Sequence, residues 1–489
     1  MSRVPTPHFP LRLVLGLLLP VAARAGGAEF DVRTYGAVAD GRTLDSPAIN
    51  RAISAAHAAG GGTVVVPAGT YLSGSIRLLG NVTLDLEPGS VIEASSDDNA
   101  YDPAEPNDWG DRLRYQDFGH SHWHNSLLWA EDAENIGIVG TGRIFGPGLA
   151  RDWIRGHPNL GNKAIALKNC RKVVLRDFTI ARGGWFGILA TAADSLTIDN
   201  LRIDTNRDGM DIDCCRDVRI SNCSVNSPLD DGICLKSSYA LGFARPTENV
   251  AITNCEVSGF DEGTMLDGTR RRGQKYPTGR IKFGTESNGG FRNIVVSNCV
   301  FEYCRGLALE TVDGGDLENV SITNLAMRDI VNAPIFLRIG ARLRGPAGTP
   351  LARMERVSIT HVVAEGVKAE QGILIAGLRG SRITGVSLGD IHIRFLGGGT
   401  LAQSKREVPE LEKGYPEPGS FGVLPSYGLY ARHAANLALD HVRFDCDTRD
   451  GRPALLLDDV DGCEFSNVSA GGAAIISSPG WGGMPPQTP

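Results

Sequence analysis

The chain has 489 residues, 21% of them charged and 42% hydrophobic, with a formal net charge of −7. A single compact core stops growing well below that length, so the chain needs either several domains or one core extended lengthwise by a repeat. The negative balance argues against nucleic acid or an anionic membrane surface as partner.

The first 25 residues hold Arg3 and Arg12, an apolar run from Leu13 to Ala23, and Ala23-Arg24-Ala25 ahead of Gly26. That is the charge, hydrophobe and small-residue order of a cleavable secretory signal, and the run is too short to span a bilayer. Residues 26–489 are then expected as one exported domain, secreted or periplasmic. Removing three arginines and no acid moves the formal charge from −7 to −10.

Next, Asp45 or Ser46 followed by Pro47, an amphipathic stretch to Ala59 and then Gly60-Gly61-Gly62 predict one capped helix. It is expected to plug the N-terminal end of a solenoid, where core and strand edges would otherwise be open. Two polar, Pro/Gly-rich stretches, 97–125 and 397–426, read as insertions walling a groove. The first carries His120, His122, Trp123 and His124. Three clustered histidines raise the question of a metal, but on an irregular loop substrate contact or plain surface is the better reading.

From Val173 onward one pattern recurs: apolar, any, apolar, any, then Asn, Asp or His, then apolar, any, small or apolar. The fifth position is Asp177, Asn200, Asn222, Asn254, Asn298, Asn324, His361, Asp390, His441 and Asn467. The alternation changes phase there, so the strand must bend, and these are the non-glycine residues most enriched at positive φ. Equivalent corners should stack about 4.8 Å apart in successive coils, which is a parallel β-helix. Cys223, Cys255 and Cys299 share one repeat position and are expected to stack as small core residues rather than as disulfides. A further strand per coil opens with Gly followed by alternating apolar residues, at Gly187, Gly209, Gly232, Gly306, Gly372 and Gly428.

The chemistry falls on that last face. Aligning NRDGMDID (206–213) with LDDGICLKSS (229–238) by their glycines places Asp208 on Asp231, with Asp230 beside them. Like charges this close shift pKa values apart and are costly unless a site uses them. A calcium site and a salt-bridged cluster with Lys236 are alternatives. The favoured reading is acid/base glycoside cleavage, with one protonated carboxyl serving the leaving oxygen and an ionised one activating water.

These two motifs resemble the Asn-Thr-Asp-Gly and Asp-Asp motifs of family-28 glycoside hydrolases, the polygalacturonase and rhamnogalacturonan hydrolase family. The resemblance extends to TYGAVADG…GGGTVVVPAGTYL (34–72), RGGWFGI (182–188) and SNGGFRNIVVSNCVF (287–301). It implies an all-β, right-handed parallel β-helix of the pectin lyase type. It also implies Asp230 as general acid and Asp208 and Asp231 as the groups activating water with inversion, Asp211 being structural. The expected partner is a pectic chain, the protein a monomer, with neither metal nor cofactor.

Two departures bear on specificity. The family's Gly-His-Gly aligns with Thr278-Gly279-Arg280, and its Arg-Ile-Lys, which holds a galacturonate carboxylate, with Ala308-Leu309-Glu310. One coil earlier stand Arg280 and Lys282, which are expected to supply the missing carboxylate clamp beside Glu310. Arg270, Arg271, Arg272 and Lys275 either assist or merely offset Asp261, Glu262 and Asp267. Trp185 is a candidate for stacking on a sugar ring. A polysaccharide lyase and a glycan-binding β-helix without catalysis remain the other readings.

Overall fold

A computed structural model describes residue 1 and residues 28–471, apart from 108, 110–114, 117–118 and 152–159. The signal reading falls, save for Met1, outside the described residues. Period-two alternation makes strands, and every strand pairing between coils is parallel. Three strand columns run along the molecule. One passes through Lys163–Lys168, Phe186–Thr191, Asp208–Asp213, Ile233–Ser237, Ile281–Ser287 and Leu307–Thr311. The second passes through Arg171–Arg176, Asp194–Asp199, Arg216–Ser221 and Thr247–Thr253, and the third through Thr179–Ala181, Arg202–Asp204, Ser224–Asn226 and Glu256–Ser258.

All ten corner residues from Asp177 to Asn467 adopt positive φ, between 50° and 74°. Their side chains form a ladder: Asn200 donates to Asp177 at 2.9 Å, Asn254 to Asn222 at 3.3 Å, Asn298 to Asn254 at 3.2 Å and Asn324 to Asn298 at 2.8 Å. A second ladder, unforeseen in the sequence, links Asp217, Asn249, Asn293 and Asn319 at 3.0–3.2 Å. Inward residues stack in register through the bore, as in Ile188, Met210, Ile233 and Ile281, all fully buried. Cys223, Cys255 and Cys299 are buried free thiols.

The helix Ser46–Ala58 places Ala48, Ile49, Ala52, Ile53 and Ala56 in the core, a stripe at helical spacing. They pack on the strands Glu29–Asp31, Gly62–Val66, Ile76–Arg77 and Val82–Leu86 at the N-terminal end. Asp45 holds the N-cap position without capping the helix. Its carboxylate instead accepts from the backbone N–H groups of Val38 at 2.7 Å and Ala39 at 2.9 Å, bracing the preceding turn. No helix among the described residues is long and apolar enough to cross a membrane.

Candidate active site

Asp208 opens the strand Asp208–Asp213, and Asp231 occupies the same place one coil on. The Gly209 N–H donates to the Asp231 carbonyl at 2.9 Å, and the Gly279 N–H to the Asp230 carbonyl at 2.8 Å, so three successive coils fix the acidic turn. Gly209 is required here: a Cβ on it would meet the Gly232 carbonyl oxygen at 2.4 Å. A side chain on Gly209 would collide with the backbone of the turn that carries Asp230 and Asp231.

One carboxylate oxygen from each of Asp208, Asp230 and Asp231 lies within 4.8 Å of the others. Asp208 and Asp231 are each 3% exposed, whereas the Asp230 side chain is 29% exposed and meets Arg207 at 3.0 Å. Their ionisation is split. Burial pushes Asp208 well above the ordinary carboxylate range, helped by the charges of Asp211 and Asp230, and one of its oxygens lacks a hydrogen-bond partner. Burial and the Asp231 charge raise Asp230 against Arg207, Lys236 and Lys282. Burial also works upward on Asp231, but the Lys282 and Arg280 charges outweigh it and hold that carboxyl well below the usual range. The result is one carboxyl held low beside two raised above the ordinary range, the kind of split between neighbouring carboxyls that acid/base cleavage uses.

Three carboxylates could also hold a divalent cation. Here the protein's own cations already stand on them: Arg280 Nε at 2.8 Å and Lys282 Nζ at 3.2 Å on the two oxygens of Asp231, and Arg207 on Asp230. The donor set therefore fits an ion poorly.

The expected substrate-binding groups Arg280, Lys282, Glu310 and Trp185 are about as buried as Asp208 and Asp231 and are engaged by other groups of the chain. Lys282 does face outward in register with Ala308, but the exposures are 2%, 1%, 0% and 6%. Lys282 lies 3.6 Å from Glu310 and bonds the Tyr415 hydroxyl at 3.2 Å. Arg280 also meets Glu417 at 3.1 Å and Glu310 at 3.8 Å. Burial pushes the Glu310 carboxyl up to about 7, against the pull of Lys282 and Arg280. Trp185 stacks on Phe186 at 5.9 Å beneath Arg207, and Gly119 of the first insertion closes over both rings. Arg270 pairs with Glu256 and Glu302, and Arg272 with Asp329, so neither serves the carboxylates of the site.

Both insertions reach the site. From the first, His120 Nε2 lies 2.9 Å from Asp211, which Lys236 approaches at 3.6 Å. His120 and His122 are buried rather than on the surface, and His124 turns to Glu131 at 2.7 Å, so the three histidines do not converge. Asp211, read as structural, is a buried hydrogen-bond partner. From the second come Tyr415 and Glu417, which no periodic signal in the sequence could single out.

Two family models match in sequence: "Rhamnogalacturonase A/epimerase, pectate lyase-like" over residues 30–142 and "Right handed beta helix region" over residues 158–272. A probable polygalacturonase of Vitis vinifera is 27% identical over 404 residues, 77% of this chain and 75% of that protein. Among solved structures, a hyperthermoactive exopolygalacturonase from Thermotoga maritima aligns with a TM-score of 0.61 at 22% identity, covering 75% of this chain and 87% of that one. A family 28 exopolygalacturonase of Yersinia enterocolitica aligns with a TM-score of 0.59 at 18% identity, covering 90% and 77%. With the paired acidic motifs in place on a parallel β-helix of this hand, the chain is a family-28 glycoside-hydrolase-like protein.

Proposed function

We propose that the protein is an exported inverting glycoside hydrolase that cleaves a galacturonate-containing pectic chain, acting as a monomer without metal or cofactor. The observation carrying this reading is the cluster of Asp208, Asp230 and Asp231, whose oxygens lie within 4.8 Å while their ionisation is driven apart. Asp230, the most open of the three, gives its proton to the leaving glycosidic oxygen. Asp231 takes a proton from the water whose oxygen attacks the anomeric carbon, and Asp208, one coil away, orients that water. The similarity to a named polygalacturonase supports the substrate class. The insertions seated on both sides of the acids favour attack at a chain end.

The test is incubation with a panel of pectic oligosaccharides, with and without chelator, reading products by mass and ultraviolet absorbance. Saturated products in both conditions are expected; unsaturated products lost with chelator would make the protein a lyase. Asp230→Asn and Asp231→Asn should each lower turnover by roughly 10²–10⁴-fold with unchanged circular dichroism. Near-normal turnover in both would remove the assignment.

A further inference from the structure

The cation pair that could receive a sugar carboxylate is already filled, and the filling group comes from the second insertion. The two oxygens of Glu417 meet Arg280 at 3.1 and 3.4 Å, Arg305 at 2.9 Å and Asn332 at 2.7 Å. Planar two-point contacts from arginine plus an amide donor are how proteins hold a carboxylate in a fixed orientation. The same Arg280 guanidinium uses its Nε on Asp231, so the Glu417 carboxylate sits one guanidinium away from the ionised acid. A hexuronate carries its carboxyl carbon three bonds from the anomeric carbon, so a uronate beside Asp231 would direct its carboxylate into this region.

The insertion that carries Glu417 is anchored earlier, at residues 408–411. Buried Arg338 donates to the carbonyls of Glu410 and Leu411 at 2.8 and 3.0 Å, Arg432 bonds the Val408 carbonyl at 2.9 Å and the Glu410 side chain at 2.7 Å, and His433 meets Glu410 at 3.1 Å. Arg280 and Arg305 are both engaged by Glu417, and Lys282 by Asp231. A second carboxylate entering here would have to compete with Glu417 for the two guanidinium groups.

We propose that Glu417 is a specificity-determining residue, a resident carboxylate in the Arg280–Arg305 clamp, so that a sugar flanking the cleaved bond is a neutral glycosyl residue and not a uronate. This deepens, and rests on, the hydrolase reading of the three aspartates. The substrate class is then a chain in which neutral sugars alternate with or replace galacturonate at the point of cleavage.

Three probes test it: oligogalacturonate, an oligosaccharide alternating galacturonate with a neutral deoxyhexose, and neutral pectic oligosaccharides. Each is incubated with wild type, Glu417→Ala and Glu417→Gln, and the bonds cut are located by product mass. Glu417→Gln keeps a partner for Asn332 while removing the charge, which covers the case in which the alanine variant fails to fold. The wild type is expected to cut bonds flanked by a neutral sugar at least tenfold faster than galacturonate–galacturonate bonds. Removing the Glu417 charge should narrow that ratio at least tenfold and tighten binding of trigalacturonate in calorimetry on an Asp208→Asn background. Preference for galacturonate–galacturonate bonds by wild type, or an unchanged ratio in the folded variants, would overturn the proposal and leave the hydrolase reading standing. Hydrolysis of none of the probes would end both.

Discussion

Glu310 shows how far one buried group can depend on its surroundings. Neither of its oxygens has a hydrogen-bond partner, the nearest cations being 3.6 and 3.8 Å away, and burial raises its carboxyl to about 7. An unfolded glutamate releases its proton near 4.5. Between pH 4.5 and 7 the folded chain therefore holds a proton the unfolded chain has lost, and stability falls as pH rises through that window. The full cost, on the order of 3 kcal/mol, is reached above pH 7. Glu310→Gln is neutral throughout, so the stability difference between wild type and variant should move against the wild type by about 3 kcal/mol from pH 4.5 to 8. Denaturant titrations at several pH values check this, and a pH-independent difference would contradict it. In the sequence, Glu310 was visible only as an acid where the resemblance led to a lysine.

At the scale of elements, the corners were legible because strand alternation and residue type report the same bend. Asn254 stands at φ 56°, donating to Asn222 and accepting from Asn298. Asn254→Val places a β-branched side chain in the left-handed region and removes both ladder bonds, so a loss of about 1–3 kcal/mol is expected, whereas Asn254→Gly should be milder because glycine adopts that φ without strain. Chemical denaturation of both variants against wild type measures this; equal stability of the two variants would show that the left-handed φ carries no cost for valine, and a glycine variant as stable as wild type would show that the ladder bonds contribute little. The capping helix was legible from its start and stop residues, but not the use of Asp45, whose carboxylate goes to the turn before the helix. The burial of Trp185 was not legible for a similar reason: it packs in a cluster with Trp123 and Trp129, and Gly119 lies against its ring from a stretch without periodicity.

For the whole molecule, the β-helix makes a long face and the two insertions close it around the acids, His120 arriving from one and Glu417 from the other. A site walled in this way should release short products from a chain end. Mass analysis of an early digest should then show mono- or disaccharides without a ladder of intermediate lengths; a broad ladder would mean internal attack. The nearest oxygens of the acids lie within 4.8 Å, closer than the separation of about 6.5–9.5 Å between carboxyl groups in most inverting enzymes. The first-formed anomer, followed by proton NMR, is expected to be inverted, as water activation by a carboxylate requires; retention would assign one of the aspartates a covalent role.

The sequence by itself determined the coil, its corners, the glycine column and the stacking of Asp208 on Asp231, because each is set by a short repeat in which chain position converts directly into height along the axis. Tertiary structure alone decided which charges meet. Arg280 and Glu417 are 137 residues apart, and a loop of that reach places its groups by packing and anchoring rather than by any period. Two cations that looked free to hold substrate in the one-dimensional reading are, in three dimensions, neutralised by acids from elsewhere in the chain.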